Sequence, residues 1–154
     1  MKLVLVSRVV FFLTLLLLAS PSLAGDNLIN VRSQYDVPQT LDRFEAAAKQ
    51  TGLKIIARID HAKGAKSVGK ELRPTELIIF GDPKLGTGMM SSNQRAGIVL
   101  PMKALAWQDA KGVVWLSYTN TKHLFARFDI VDRPYIKHPM IEILVDLAKA
   151  ATQP

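Results

Sequence analysis

The chain has no cysteine in 154 residues. That removes disulfide staples, thiolate metal sites, thiol nucleophiles, dithiol redox chemistry and covalent c-type haem attachment. Histidine is nearly as scarce. His61, His123 and His138 are the full set, and none stands in an H-x-H or H-x-x-x-H pair, so no local chelate is spelled out. Aromatic residues make up only 7%. No serine lies in a G-x-S-x-G context, which leaves a serine hydrolase without its nucleophile elbow. Apolar runs long enough to cross a bilayer are missing too, since a spanning helix needs roughly 20 such residues. These absences predict no cofactor, no metal centre and no catalytic residue set.

One shorter apolar run is present. "VVFFLTLLLLA" (Val9 to Ala19) follows Lys2 and Arg8 and precedes "SPSLAG". A cationic start, a short apolar stretch, Pro21 and the Ser22-x-Ala24 pattern fit a signal peptide over residues 1–24, cut before Gly25. The expected product is a periplasmic or secreted chain of residues 25–154, with no transmembrane segment after cleavage. A chain of that length can bury a core as one domain without staples.

Charge of one sign is in excess. Lysine and arginine total 20 against 13 acidic residues, a formal charge of +7. Without Lys2 and Arg8 the balance is 18 against 13, or +5. Six basic residues fall between Lys54 and Arg73. Such a stripe reads as a solvated face or as a mark of an anionic partner. Outside the cytoplasm nucleic acid is not an expected partner; anionic lipid headgroups, cell-wall polymers and small acidic ligands are.

Hydrophobic periodicity divides the chain into short elements. Asn27 to Gln34 reads as a strand and "YDVPQT" as a turn. Thr40 stands where an N-cap belongs, before a helix from Leu41 to Gln50 with Leu41, Phe44 and Ala48 on one face. Leu53 to Asp60 is a strand, His61 to Pro74 a loop or short helix, and Thr75 to Gly81 a strand. Asp82 to Arg95 turns and enters a short helical stretch. Ala96 to Asp109 is apolar and strand-like, interrupted by Pro101. "AKG" makes a hairpin turn into the strand Val113 to Tyr118. Thr119 to Phe128 is a short helix, and His138 to Ala151 an amphipathic one. This order predicts an α+β domain: an antiparallel sheet with helices packed mainly on one face.

"FGDPKLGTGMM" (Phe80 to Met90) is the most punctuated stretch. Gly81 and Gly86 have the spacing of a Walker loop, but Thr87-Gly88 follow where lysine and a hydroxyl residue are required. It reads as a strand-to-helix turn set by Asp82-Pro83, with Gly86 expected in a backbone conformation that other residues avoid. Met89 and Met90 are soft metal ligands in principle. Adjacent helical residues point about 100° apart, and core packing is the simpler role. His61 ends a strand beside the basic loop, where histidine can offer a titratable contact. The candidate binding residues are His61, Phe80, Lys84, Thr87, Met90 and Trp107, with His61 supplying a polar contact and Lys84 a charge. The leading expectation is a non-enzymatic module that binds a small ligand or a protein partner. The alternative is an enzyme, or a redox or metal accessory protein, using His61.

Three segments carry a resemblance: "IDHAKGAKSVGKELRPTELIIFGDPKLGT" (Ile59 to Thr87), "MMSSNQRAGIVLPMKALAWQD" (Met89 to Asp109) and "GVVWLSY" (Gly112 to Tyr118). In this order they resemble the domain-of-unknown-function family 302. The chain departs from the family pattern at Asp82, usually asparagine, and at Gly88, often proline. The resemblance implies a compact α+β domain with an antiparallel sheet, often self-associating into a homodimer. It implies no activity and supplies no catalytic residue.

Overall fold

The structure, a computed structural model, describes residues 27–154. The expected cleavage site at Gly25 lies outside the described residues. Five strands form one antiparallel sheet: β1 (Leu28–Arg32), β2 (Lys54–Asp60), β3 (Thr75–Gly81), β4 (Met102–Gln108) and β5 (Val114–Thr119). Their spatial order is β1-β5-β4-β3-β2. Strands β2 to β5 make a meander, and β1 closes the far edge against β5. The helices are α1 (Val37–Gln50), α2 (His61–Ser67), α3 (Pro83–Ser92), α4 (Thr121–Arg127) and α5 (Pro134–Thr152), with a 3-10 turn at Gln94–Ile98. This is the α+β arrangement expected from the sequence.

Alternation along the strands assigns the faces. Ile78 and Phe80 of β3, Ala104 and Ala106 of β4, and Leu116 and Tyr118 of β5 are buried. They meet Leu41, Phe44 and Ala48 of α1, together with the buried stripe of α5 from Met140 to Ala151, in one hydrophobic core. The Phe44 and Phe80 rings pack edge to face, with centroids 4.9 Å apart. The other face carries Ile59, Leu77, Ile79, Leu105 and Trp107, all half-buried or exposed.

α1 starts four residues earlier than an N-cap at Thr40 suggests. Asp36 is the N-cap, its side chain accepting from the Gln39 N–H at 2.8 Å, and Pro38 occupies the first turn. Proline needs no amide hydrogen there and brings the right φ. Thr40 is instead buried, donating to the Asp36 carbonyl at 2.6 Å and meeting Ser33 Oγ at 2.7 Å. α5 likewise begins at Pro134 and runs through Pro139. Pro101 precedes β4 rather than interrupting it, and the Leu100–Pro101 peptide is cis.

Arg58 fastens edge strand β2 to α1. Its guanidinium donates to Glu76 at 2.8 Å, to Asp42 at 2.5 Å and to the Pro38 carbonyl at 3.2 Å. Partial desolvation disfavours its charge, but the hydrogen bonds to Asp42 and Glu76 outweigh that and raise its pKa.

Candidate functional site: an apolar cavity at one end of the sheet

β2 is regular except at Ile55–Ala57, where the register with β3 shifts. Ile55 faces Phe80 and Ala57 faces Ile79, so Ile56 is the extra residue of a bulge. A bulge on an edge strand re-aims a side chain. Ile56 is 56% exposed and stands beside a cavity of about 420 Å³. Phe80, Gly81 and Met102, from the adjoining strand ends, line it, as do Leu85, Gly86, Thr87 and Met90 of α3. Leu100 and Pro101 contribute from the segment before β4, and Met140, Ile143 and Leu144 from α5. The volume falls in the range of small-molecule sites, about 300–1,000 Å³.

Local sequence explains why space remains. α3 is capped by Asp82, whose carboxylate accepts from the Lys84 N–H at 2.5 Å, with Pro83 in the first turn. Its far end is tied down by Asn93 Nδ2, which donates to the Phe128 carbonyl at 2.8 Å, and by Ser92 Oγ on Asp132 at 2.6 Å. The Ser92 hydrogen bond is the main cause holding the Asp132 carboxyl below the usual range. Between these ends Gly86 presents no side chain to the cavity. A β-carbon there would meet only Leu100 Cδ1, at 3.8 Å. Gly86 has no positive φ. It sits inside the helix, not at a special turn, so the conformational reason expected for it is replaced by one of space. Gly88 is the tight one: a β-carbon on it would run into Ile136 of α5.

The six candidate binding residues divide into two groups. Phe80, Thr87 and Met90 line the cavity. Lys84 is exposed on the first turn of α3 and is not among the lining residues. Trp107 sits on the opposite face of the sheet, where its indole N–H donates to Ser117 Oγ at 2.7 Å. His61 opens α2 at the other end of β2, and its neighbour Asp60 caps that helix by accepting from the Lys63 N–H at 2.8 Å. Sequence reasoning missed Leu53, Leu100, Met102, Met140, Ile143 and Leu144 as cavity residues. The last three share one face of α5 by their i, i+3, i+4 spacing, a signal that showed a buried stripe but not what it faces.

Chemically the lining is carbon and sulfur with few polar atoms. Asp82 is engaged as a helix cap, and Lys54 is exposed. Among the described residues no group of three or more His, Asp or Glu is placed to hold a metal ion.

Fold and site together define a small α+β domain with an apolar cavity at a sheet end. The family model described as "Domain of unknown function DUF302" matches residues 29–153, and the chain belongs to that family. The crystal structure of an uncharacterized conserved DUF302 protein from Bacillus stearothermophilus shares the fold. Its TM-score is 0.73 at 16% identity, covering 82% of this chain and 99% of that one. Two curated relatives are named fluoride-specific ion channel FluC 1, from Brucella suis biovar 1 and Brucella abortus biovar 1. Each is 41% identical over 109 residues, 71% of this chain. The match spans 43% and 40% of those relatives, so less than half of their length.

Proposed function

We propose that this chain is an exported binding module whose cavity takes a slender, largely apolar ligand. The observation that carries the reading is the cavity lining: Phe80, Leu85, Leu100 and Ile143 with three methionines, Met90, Met102 and Met140, around about 420 Å³. Methionine side chains adapt to irregular apolar shapes. The reading supplies no catalytic group. The activity in the relatives' names is not carried over to this cavity. A desolvated small anion needs a ring of hydrogen-bond donors, and this lining is nearly all apolar.

Native mass spectrometry of the protein taken from its own host, beside Gly86→Phe, tests the reading. The expected result is an added apolar mass on the parent chain and none on the variant, whose ring fills the cavity. A bare parent chain, with equal uptake of a fluorescent fatty acid by both proteins, would overturn it. N-terminal sequencing of the same sample tests export: the expected first residue is Gly25, and intact Met1 would refute cleavage.

Self-association has its own observation. The sheet face bearing Ile59, Leu77, Ile79, Leu105 and Trp107 lies opposite α1 and α5. Apolar faces of that kind suit an isologous dimer. Leu105→Lys is expected to convert a dimer to a monomer in sedimentation equilibrium. A parent chain that is monomeric at high concentration removes this second reading.

A further inference from the structure

The end of the sheet opposite the cavity carries a segment that the fold does not require. β2 and β3 are adjacent and antiparallel. A hairpin connection between such strands takes about two to five residues, yet residues 61–74 intervene. α2 contributes no buried residue to the core. Ala62 and Ala65 alone are half-buried; every other residue from His61 to Pro74 is exposed. A β-carbon added at Gly64 or Gly69 would meet nothing within 4 Å. The segment therefore stands proud of the domain, and packing does not account for its composition.

That composition has two parts. Lys63, Lys66, Lys70 and Arg73 are opposed by Glu71 alone, so the net charge of residues 61–74 is +4 − 1, or +3. Among these cations stand two apolar side chains that serve no core: Val68, 72% exposed, and Leu72, 47% exposed. Arg73 Nε donates to the Gln108 carbonyl at 3.0 Å, which holds the segment against the end of β4, beside the Lys111 turn.

We propose that this projection, from α2 through Arg73, docks the domain on an anionic phospholipid bilayer. The lysines meet the headgroups, and Val68 and Leu72 enter the headgroup–acyl boundary. Charge complementarity selects the partner, and the exposed apolar pair discriminates among anionic partners. Single-stranded nucleic acid would reward stacking aromatics, and residues 61–74 hold no Phe, Tyr or Trp. A bilayer interface rewards cations interleaved with apolar side chains. Docking by this end directs the cavity away from the bilayer, because the two lie at opposite ends of β2 and β3.

The test is co-sedimentation with vesicles. The protein is used as its host produces it, with its N-terminus established by sequencing. Binding is expected to phosphatidylglycerol-containing vesicles and not to pure phosphatidylcholine, and to fall with added salt as exposed charge pairs are screened. Each cation near an anionic surface favours binding by about fivefold, so Lys66→Gln with Lys70→Gln should lose roughly 25-fold. Val68→Ser with Leu72→Ser should lose binding even at low salt. All four positions are exposed, and unchanged thermal melts confirm folding. Three results overturn the proposal: equal binding to neutral vesicles, no binding to either, or an equal loss in Ile98→Ser, which lies outside the projection. Binding to duplex DNA that is lost in Lys66→Gln with Lys70→Gln, without vesicle binding, would assign the projection to nucleic acid instead.

Discussion

Helices α1 and α3 have similar capping and opposite purposes. Each starts with an aspartate cap and a first-turn proline. α1 then buries Val37, Thr40, Leu41, Phe44 and Ala48 against the sheet. α3 buries Met89 alone and places Gly86 and Gly88 where a core helix would carry side chains. Good ends on both helices show that capping sets where a helix runs. What fills the middle decides whether it contributes stability or leaves room. In α1 the middle is core. In α3 it is the wall of a cavity, held at Asp82 and at Ser92–Asn93.

The largest effect that would sharpen this contrast comes from α1. Phe44 is fully buried against Phe80, and Phe44→Ala should cost about 3–5 kcal/mol, read from urea melts. A loss no larger than that of an exposed site would mean that α1 is not the scaffold described.

The two glycines of α3 come next, because they lie two residues apart on different sides of the helix. Gly88→Val should destabilise by about 1–3 kcal/mol through overpacking against Ile136. Gly86→Ala should stabilise by about 0.5–1 kcal/mol, since alanine is the better helix former and its methyl has room beside Leu100. Calorimetry of both variants checks the opposite signs. Two losses of equal size would show that α3 is packed alike on both sides and erase its difference from α1.

Lys84→Ala should change stability by no more than about 0.5 kcal/mol, as an exposed substitution away from packing. A larger loss in the same melts would mean that the charge, and not the Asp82 cap, holds the start of α3.

The smallest effect is pH-linked and confined to the far end of α3. Asp132 has a folded pKa lowered chiefly by the Ser92 hydroxyl. A lowered carboxylate pKa adds stability that is complete above the unfolded value, about 3.9, and is lost as pH falls through the folded value. Ser92→Ala should therefore melt earlier than the parent chain at neutral pH, and the gap should close on acidification. A gap that stays constant into acid would show that the Ser92–Asp132 bond contributes nothing to holding α3.

Much of the fold was legible in local pattern. The Leu41, Phe44 and Ala48 stripe of α1, the Gly112 hairpin and the amphipathic α5 all follow from spacing or turn chemistry. Errors gathered at boundaries: α1 begins at Val37 and α5 at Pro134, ahead of the expected Leu41 and His138. The candidate site was legible only around Phe80 to Met90. Trp107 and Phe80 are both aromatic strand residues and both candidates, yet register puts them on opposite faces of the sheet.

The sequence by itself determined the absence of thiol chemistry, the basic surplus, the order of helices and strands, and family membership through an ordered set of motifs. These depend on composition or on contacts a few residues apart. Only the tertiary structure decided that Leu53, Leu100, Met140 and Met90 surround one space, that Gly86 serves that space while Gly88 serves a helix contact, and that His61 stands at the opposite end of the sheet. The physical reason is that a cavity belongs to no single element. It is what remains when the strand ends, α3 and α5 approach as far as their side chains allow, and that distance is set by packing between residues far apart in the chain.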